Sequence, residues 1–298
     1  MTDITPLDAI QRHVEKNILS YLPKRDENYP QLDDALRYAI FNGGKRLRPA
    51  LVYFTGAMFG ATQEALNPVA CAVEMVHCFS LVHDDLPAMD NSDYRRGKLS
   101  CHKVFNEDVA ILAGDALLTL SFEILSNHQN APLSHSTRLA LIHMLCKATG
   151  SEGMVGGQIM DIKNSAKYNQ QQLEKLHRLK TGALIKASIL MGALCTPSPL
   201  LAETQHRLND FADTLGLLYQ VCDDILDVIA DEKTLGKATG TDQQLGKGTY
   251  VDLLGLPGAH IYAKELYETA SEIIKPLPNS EQLTYIVYYI YARLQETF

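Results

Sequence analysis

Residues 69–90 read VACAVEMVHCFSLVHDDLPAMD, a long apolar run that ends in three aspartates. Its apolar residues are continuous enough to predict a helix that is buried on most of its faces. Carboxylates at the end of such a helix need cations to compensate their charge. Pro87 cannot donate a hydrogen bond to the carbonyl of His83, so the helix is expected to end or kink near Asp84. The chain can then bring Asp90 back toward the helix end.

A second aspartate cluster, Asp223-Asp224-Ile225-Leu226-Asp227, follows another apolar helical run at residues 215–221. Asp223 and Asp227 are four residues apart and share one helix face, so three carboxyls are expected to project into one space. A single pair of adjacent aspartates at a helix end is typical of a helix cap or a solvated helix face. Two clusters of oxygen ligands select Mg²⁺, and neither has the spacing of a calcium-binding EF-hand loop. The sequence therefore predicts a magnesium site for a phosphorylated ligand, built from distant parts of the chain.

The composition excludes several classes of protein. The chain has 298 residues, and its net charge of -8 argues against a nucleic-acid partner, which would require a basic face. The six cysteines form no C-x-x-C pair, so zinc sites and disulfides are not expected. No run reaches the ~18 apolar residues of a membrane span, and the N-terminus lacks the pattern of a signal peptide. We expect a cytoplasmic protein with no stable membrane insertion.

Helical periodicity dominates the chain, and alternating β patterns are nearly absent. The most apolar helices are expected to form a central layer, with more polar helices around it. The breaks between helices are too short to be domain linkers, so we expect one all-α domain over residues 1–298. These breaks fall at residues 42–44, 127–134, 196–199, 236–248 and 276–279.

Basic residues occur where phosphate groups would need them. Lys45 and Arg48 are three residues apart after a glycine pair, at a predicted helix start, and a helix N-terminus with flanking cations binds anions. Arg95 and Arg96 follow the first cluster, and guanidinium groups suit bidentate contacts with phosphate. His77 lies two helical turns before the first cluster and is either a phosphate donor or a core histidine. Further candidates, each typical of plain surface when alone, are Lys180, Lys237 and Lys247.

Six motifs in order make the chain resemble the short-chain trans-prenyl diphosphate synthases, most closely the bacterial-type farnesyl diphosphate synthases. They are G-G-K-R-x-R-P from Gly43, D-D-x-x-x-x-D with R-R-G after it, G-D-A-L-L from Gly114, G-G-Q-x-x-D from Gly156, K-T-G from Lys180 and Q-x-x-D-D-I-L-D from Gln220. The resemblance runs from about residue 43 to residue 250. It implies an all-α, isoprenoid-synthase-type bundle of about ten core helices around a deep central cavity. It also implies a homodimer.

The resemblance implies a role for each candidate residue. An allylic diphosphate, dimethylallyl or geranyl, would bind three Mg²⁺ held by Asp84, Asp85, Asp90, Asp223, Asp224 and Asp227. Positive charge that favours C–O ionisation would come from Arg95, Lys180, Lys237 and Lys247. Thr181 and Gln220 would offer oxygen dipoles to the carbocation. Isopentenyl diphosphate would bind to Gly44, Lys45, Arg48, His77 and Arg96. The departing diphosphate would accept the final proton.

Product length depends, by this resemblance, on the residues four and five positions before the first motif aspartate, which are Ser80 and Phe79. An aromatic residue at the fifth position, with the two-residue insertion in the motif, implies a C15 product. Ideal helix geometry instead places Ser80 on the Asp84 face. Phe79 is therefore either the floor beneath the growing chain or plain core.

Other functions stay open on the sequence alone. A geranyl or geranylgeranyl diphosphate synthase would share every motif. A terpene cyclase needs no second basic pocket, and a noncatalytic synthase subunit is expected to lose aspartates, all six of which are present. The C-terminal stretch 291–298 lacks the basic tail that closes the site in eukaryotic relatives, so the means of closure is also open.

Overall fold

The computed structural model describes residues 5–127, 129–162, 168–229 and 248–295. The described chain is helical apart from one two-residue antiparallel pair, β1 (Tyr94–Arg95) with β2 (Lys98–Leu99). The all-α prediction is confirmed. The helices are α1 (Pro6–Tyr21), α2 (Pro30–Phe41), α3 (Leu47–Met58), α4 (Gln63–Asp84), α5 (Cys101–Phe105), α6 (Glu107–Ser126), α7 (His135–Thr149), α8 (Met154–Ile162), α9 (Gln170–His177), α10 (Ala183–Leu194), α11 (Ala202–Ile229), α12 (Tyr250–Ile274) and α13 (Glu281–Ala292).

The central helix of the fold is α4. Thr62 caps its N-terminus by accepting a hydrogen bond from the backbone N–H of Ala65 at 3.3 Å. The helix packs between α3 and α6, and its apolar residues from Val69 to Val76 are fully buried. The apolar character of α4 thus follows from its position in the core, as its pattern predicts.

A buried ion pair joins the N-terminal helices to α4. The side chain of Arg46 is fully buried, and its guanidinium lies 2.7 Å from the carboxylate of Glu74 in α4 and 3.0 Å from that of Glu15 in α1. It also donates to the carbonyl of Ile40 at 2.6 Å. A buried charge is tolerated only with such partners, so the contacts of Arg46 serve the fold.

The end of α4 lies where Pro87 predicts it. The last helical residue is Asp84, and the carbonyl of His83 accepts from the backbone N–H of Leu86 at 3.2 Å. The backbone N–H of Asp90 then donates to the carbonyl of Asp84 at 2.9 Å. The turn after α4 therefore returns Asp90 to the helix end, and the predicted curl is confirmed.

The helices from α8 to α13, together with a π-helical turn, form the second half of the fold. A π-helical turn, Arg178–Gly182, joins α9 to α10 and packs against α8 so closely that a Cβ at Gly157 would overlap the backbone of Lys180. The long helix α11 packs against α10 and α12. A capping box between Thr249 and Asp252 starts α12, and Gly255, with a φ of 70°, interrupts it.

Two helices of the described ranges, α4 and α6, are long and apolar enough by composition to cross a membrane. Most of α4 is buried inside the protein, whereas less than half of α6 is. On α6, Ile111 is 42% exposed and Leu112 is 59% exposed. The apolar composition of α4 is explained by the core, and that of α6 is only partly explained by it.

Candidate active site

A single cavity of about 880 Å³ collects residues from both halves of the chain. It lies at the end of α4, facing α8, the π-helical turn, α11 and α13. Lys237 and Lys247 lie outside the described residues. The predicted site residues in its lining are Gly44, Lys45, Arg48, His77, Phe79, Ser80, Asp84, Asp90, Arg95, Arg96, Lys180, Thr181, Gln220, Asp223 and Asp224.

In the first aspartate cluster, two carboxylates line the cavity and the third is buried against an arginine. Asp84 and Asp90 line the cavity. Asp85 is 2% exposed, and both its oxygens accept from Nε of Arg95, at 3.0 and 3.2 Å. Burial raises the pKa of Asp84 to about 6, with Asp90 acting in the same direction and Lys180 against it. Close carboxylates of this kind favour a cation at the cavity wall.

In the second cluster, Asp223 and Asp224 have different partners. Asp223 lines the cavity, and its carboxylate lies 3.5 Å from Nη2 of Arg293. Asp224 accepts from the side-chain amide of Gln220 at 2.8 Å and from the backbone N–H of Tyr250 at 2.9 Å. Because Tyr250 is the first residue of α12, the carboxylate of Asp224 also meets the positive end of that helix. This aspartate ties α11 to α12.

Asp227 is the third carboxylate of the second cluster and is 3% exposed. It is not among the described residues that line the cavity. Of the six aspartates, Asp84, Asp90, Asp223 and Asp224 reach the cavity.

Two guanidinium groups converge on His77. Nη1 of Arg48 lies 3.4 Å from Nε2 of His77, and Nη2 of Arg96 lies 3.3 Å from the same atom. Guanidinium groups only donate, so Nε2 accepts and the neutral ring carries its proton on Nδ1. Burial and the two arginines hold the pKa of His77 well below its usual value. The histidine gathers two permanent cations on one side of the cavity, which suits a phosphate ligand.

Gly44 makes room for this arrangement. It has a φ of +111°, and a Cβ there would lie 2.5 Å from Cζ of Arg96. The guanidinium of Arg96 also donates to the carbonyl of Gly43. Lys45 and Arg48 flank the start of α3, which begins at Leu47, and Lys45 is exposed. Both cations nevertheless line the cavity.

Contacts with the neighbouring helices α8 and α11 fix Lys180 and Thr181 on the π-helical turn. Nζ of Lys180 donates to Asp161 at 2.6 Å, and the hydroxyl of Thr181 donates to the amide oxygen of Gln220 at 3.1 Å. Asp161 is 6% exposed and was not singled out from the sequence, although it ends the G-G-Q-x-x-D motif. The fixed spacing of that motif was the signal that could have identified it.

The C-terminal helix adds two residues that the sequence did not reveal. Tyr289 and Arg293 are four residues apart and both line the cavity. The guanidinium of Arg293 lies 5.8 Å from the ring centre of Tyr219, besides its contact with Asp223. From the sequence, the C-terminal stretch was noted only for lacking a basic tail. In the structure, Arg293 at the end of α13 places a cation at the cavity.

The acidic part of the cavity suits Mg²⁺ that arrives with a phosphate ligand. Within the described ranges, no three His, Cys, Asp or Glu side chains are close enough to bind one metal ion by themselves. Mg²⁺ takes oxygen ligands, keeps several waters and is commonly shared between one or two carboxylates and substrate phosphates. The carboxylates of Asp84, Asp90 and Asp223, which line the same cavity, fit this mode of binding.

An all-α fold in which carboxylates from two helices and converging arginines line one cavity is suited to an enzyme that binds a diphosphate together with a divalent metal ion. Residues 29–285 match the polyprenyl synthetase family model, and the chain belongs to this family of prenyltransferases. It is 47% identical to the farnesyl diphosphate synthase of Escherichia coli, with 91% of each chain covered. It is 43% identical to a chloroplastic geranylgeranyl pyrophosphate synthase of Catharanthus roseus, with 81% of this chain and 68% of that one covered.

The fold has solved relatives in the same family. A geranyltransferase from Helicobacter pylori, complexed with magnesium and isoprenyl diphosphate, matches with a TM-score of 0.83 at 33% identity, covering 98% of both chains. The isoprenoid-synthase-type bundle expected from the sequence is therefore confirmed.

Proposed function

We propose that the protein condenses isopentenyl diphosphate head-to-tail with dimethylallyl or geranyl diphosphate, giving all-trans farnesyl diphosphate and diphosphate. The observation that carries this proposal is the presence of two differently charged regions in one cavity. One holds the carboxylates of Asp84, Asp90 and Asp223, and the other holds the guanidinium groups around His77. The reaction uses two diphosphates, one that leaves and one that is kept, so it needs two such regions.

The region around His77 binds isopentenyl diphosphate, which keeps its diphosphate during the reaction. Arg48 and Arg96 supply permanent charge and paired N–H donors, and Lys45 adds a flexible cation from the exposed edge. Gly44 lets Arg96 approach the backbone. Binding in this region requires no metal, because the ligand does not lose its diphosphate.

The acidic region binds the allylic diphosphate. Asp84, Asp90 and Asp223 would hold three Mg²⁺ jointly with the diphosphate, while Asp85 and Asp224 support them through their contacts with Arg95 and Gln220. Asp227 remains a predicted metal ligand of this region. When bound, Mg²⁺ would neutralise charge that develops on the leaving group. Lys180 and Arg95 add fixed positive charge on the same side. Lys237 and Lys247 remain predicted members of this region.

The reaction then follows from charge. The allylic C–O bond breaks, and its electron pair leaves with the diphosphate. The isopentenyl double bond attacks the allylic cation and forms the new C–C bond, and the departing diphosphate accepts the proton whose loss restores a double bond. Thr181 and Gln220 hold each other in place and offer oxygen dipoles to the cation without a strong nucleophile.

Phe79 and Ser80 both line the cavity, so both remain candidates for its floor. Phe79 is 8% exposed, which suits a ring that closes the apolar end, and we assign the C15 product to it. Geranylgeranyl diphosphate is the second candidate product, because a relative with that activity is 43% identical.

Product analysis tests the proposal. The purified protein is incubated with Mg²⁺, isopentenyl diphosphate and either dimethylallyl or geranyl diphosphate, and the dephosphorylated products are separated by chain length. Farnesol is expected from both primers. A main product of ten or twenty carbons would refute the C15 assignment, and the absence of any prenyl product would refute the activity. Omission of isopentenyl diphosphate is the control, since a terpene cyclase would still consume the allylic diphosphate.

We also infer a homodimer formed through the exposed face of α6. Ile111 and Leu112 are exposed on this largely apolar helix, and such faces are typical of subunit interfaces. Leu112→Lys is expected to give a monomer by analytical ultracentrifugation. Leu139→Lys, on α7 and 69% exposed, is the matched control and is expected to leave the mass unchanged. A wild-type monomer would refute the inference.

The proposed setting is the cytoplasm, with one domain over residues 1–298 and no nucleic-acid or membrane partner. Five of the six cysteines are buried, which is compatible with a reducing compartment. The net charge of -8 is unfavourable for binding nucleic acid. Cell fractionation tests this setting, and recovery of the protein with membranes after a salt wash would contradict it.

A further inference from the structure

The wall of the cavity beside the first aspartate cluster depends on a contact between α4 and α6. Phe79 and His83 are one turn apart on α4, and both line the cavity. Their rings meet edge to face, with centroids 5.1 Å apart and planes at 81°. On the other side of the imidazole, Nε2 of His83 lies 3.1 Å from the carbonyl oxygen of Ile111 in α6. Since a carbonyl oxygen only accepts, Nε2 carries the ring proton.

The imidazole of His83 lies directly over Gly114 of α6. A Cβ at position 114 would be 2.5 Å from Cδ2 of His83 and closer still to Nε2. Glycine in the middle of a helix is unfavourable relative to alanine, so its presence here has a steric reason. The missing side chain lets α6 approach the imidazole closely enough for the contact with Ile111. Gly114 and Ile111 together determine where the ring of His83 can lie.

We propose that His83, seated on Gly114 and bound to the carbonyl of Ile111, holds the ring of Phe79 across the cavity and so limits product length. The inference rests on the proposed function. Phe79 is five residues before Asp84, or ~7.5 Å along α4 from the acidic region. The hydrocarbon chain grows away from that region, so the orientation of this ring limits the depth available to it. His83 acts through Phe79, and Gly114 acts through His83, so both are positioning residues.

Removal of the imidazole is the direct test. His83→Ala deletes the edge-to-face contact and leaves space into which the ring of Phe79 can turn. The ratio of C20 to C15 product is expected to rise about two- to tenfold, the range that corresponds to the loss of one aromatic contact. The matched control is Asp115→Ala, because this carboxylate is 60% exposed and lies 3.9 Å from Nε2 of His83. It removes the nearby charge but not the contact with Ile111, so the product ratio is expected to stay unchanged.

Gly114→Ala tests the same contact from α6. The added methyl displaces the imidazole, so the product ratio is expected to shift in the same direction as in His83→Ala. In the double variant the methyl has room, and the ratio is expected to equal that of His83→Ala alone. The double variant is also expected to have a higher Tm than His83→Ala, because alanine favours the helix. If Gly114→Ala does not fold, His83→Ala and the double variant still decide the outcome.

Two results would overturn the inference. One is a product ratio in His83→Ala equal to that of the wild type, and the other is an equal effect of Gly114→Ala with and without His83. Neither result touches the proposed function, provided that the wild type still makes C15 product. A wild type that makes no prenyl product would instead refute the proposed function itself.

Discussion

The two aspartate clusters have similar sequences but are supported in different ways. In the first, a turn at the end of α4 presents Asp84 and Asp90 to the cavity, and the side chain of Arg95 supports Asp85. In the second, an unbroken helix presents Asp223, and the backbone at the start of α12 supports Asp224. The first cluster therefore depends on a local turn and the second on helix packing. We therefore expect the two clusters to contribute alike to chemistry and unequally to stability.

Removal of Mg²⁺ is expected to have the largest effect on turnover, and it should disable both aspartate clusters at once. A chelator should lower turnover by ~10³-fold or more, because Mg²⁺ would neutralise charge that develops on the leaving group. Activity is expected to return when Mg²⁺ is added back in excess, and far-ultraviolet circular dichroism should not change. Full turnover in the presence of the chelator would contradict metal-assisted ionisation at both clusters.

Single substitutions test whether the clusters are equal in chemistry. Asp84→Asn and Asp223→Asn are each expected to lower kcat by ~10²–10³-fold, since each removes a charge that faces the cavity. Asp213→Asn is the matched control, because Asp213 lies on the same helix as Asp223 but pairs with Lys186 at 2.8 Å. Steady-state kinetics measures all three. A loss at only one cluster would mean that the other is structural.

Substitution of the supporting aspartates tests the difference in stability. Asp224→Ala leaves the amide of Gln220 and the backbone N–H of Tyr250 without their acceptor, at an expected cost of ~2–4 kcal/mol in the free energy of unfolding. Asp85→Ala should cost only ~1–2 kcal/mol, because the side chain of Arg95 is 25% exposed and can turn to water. Urea denaturation compares them. Equal losses in the free energy of unfolding would show that the two clusters do not differ in their contribution to stability.

The first cluster is expected to contribute to the pH dependence of stability through Asp84. Burial raises the pKa of Asp84 from 3.8 to about 6, so between these values this carboxyl binds more protons in the folded state than in the unfolded state. Its contribution to the stability of the metal-free protein should therefore fall as the pH rises from about 4 to about 6, whereas buried His177, whose pKa is lowered to about 4, contributes with the opposite sign. Asp84→Asn should remove the Asp84 contribution from the slope and stabilise the metal-free protein by ~1–3 kcal/mol at pH 7. An unchanged slope in the variant would contradict the assignment.

The smallest expected effect links the first cluster to product length. Phe79→Ala enlarges the apolar end of the cavity and is expected to shift products toward C20 with little change in total turnover. Ser80→Phe is the complementary variant and is expected to shorten products by filling the same end. Chromatography of the dephosphorylated products measures both. An unchanged distribution in Phe79→Ala would remove this residue as the floor.

Much of the site could be predicted from local sequence. The end of α4 at Asp84 follows from Pro87, which acts within four residues of itself. The pairing of Lys180 with Asp161 could not be predicted in the same way, because it joins α8 to the π-helical turn. The backbone conformation at the start of α3 could not be predicted either, since Arg46 adopts a left-handed conformation with a φ of 51° and its side chain is buried. Its buried partner Glu74 is distant in sequence.

The sequence by itself determined the all-α fold, the two acidic clusters and the family, because these depend on helical periodicity and on motifs with fixed spacing. Only the tertiary structure decided which partners these aspartates meet. Asp85 turns to Arg95, Asp224 turns to the start of α12, and Asp223 faces the cavity. Each choice depends on a partner that packing supplies, and a carboxylate is buried only where such a partner compensates its charge.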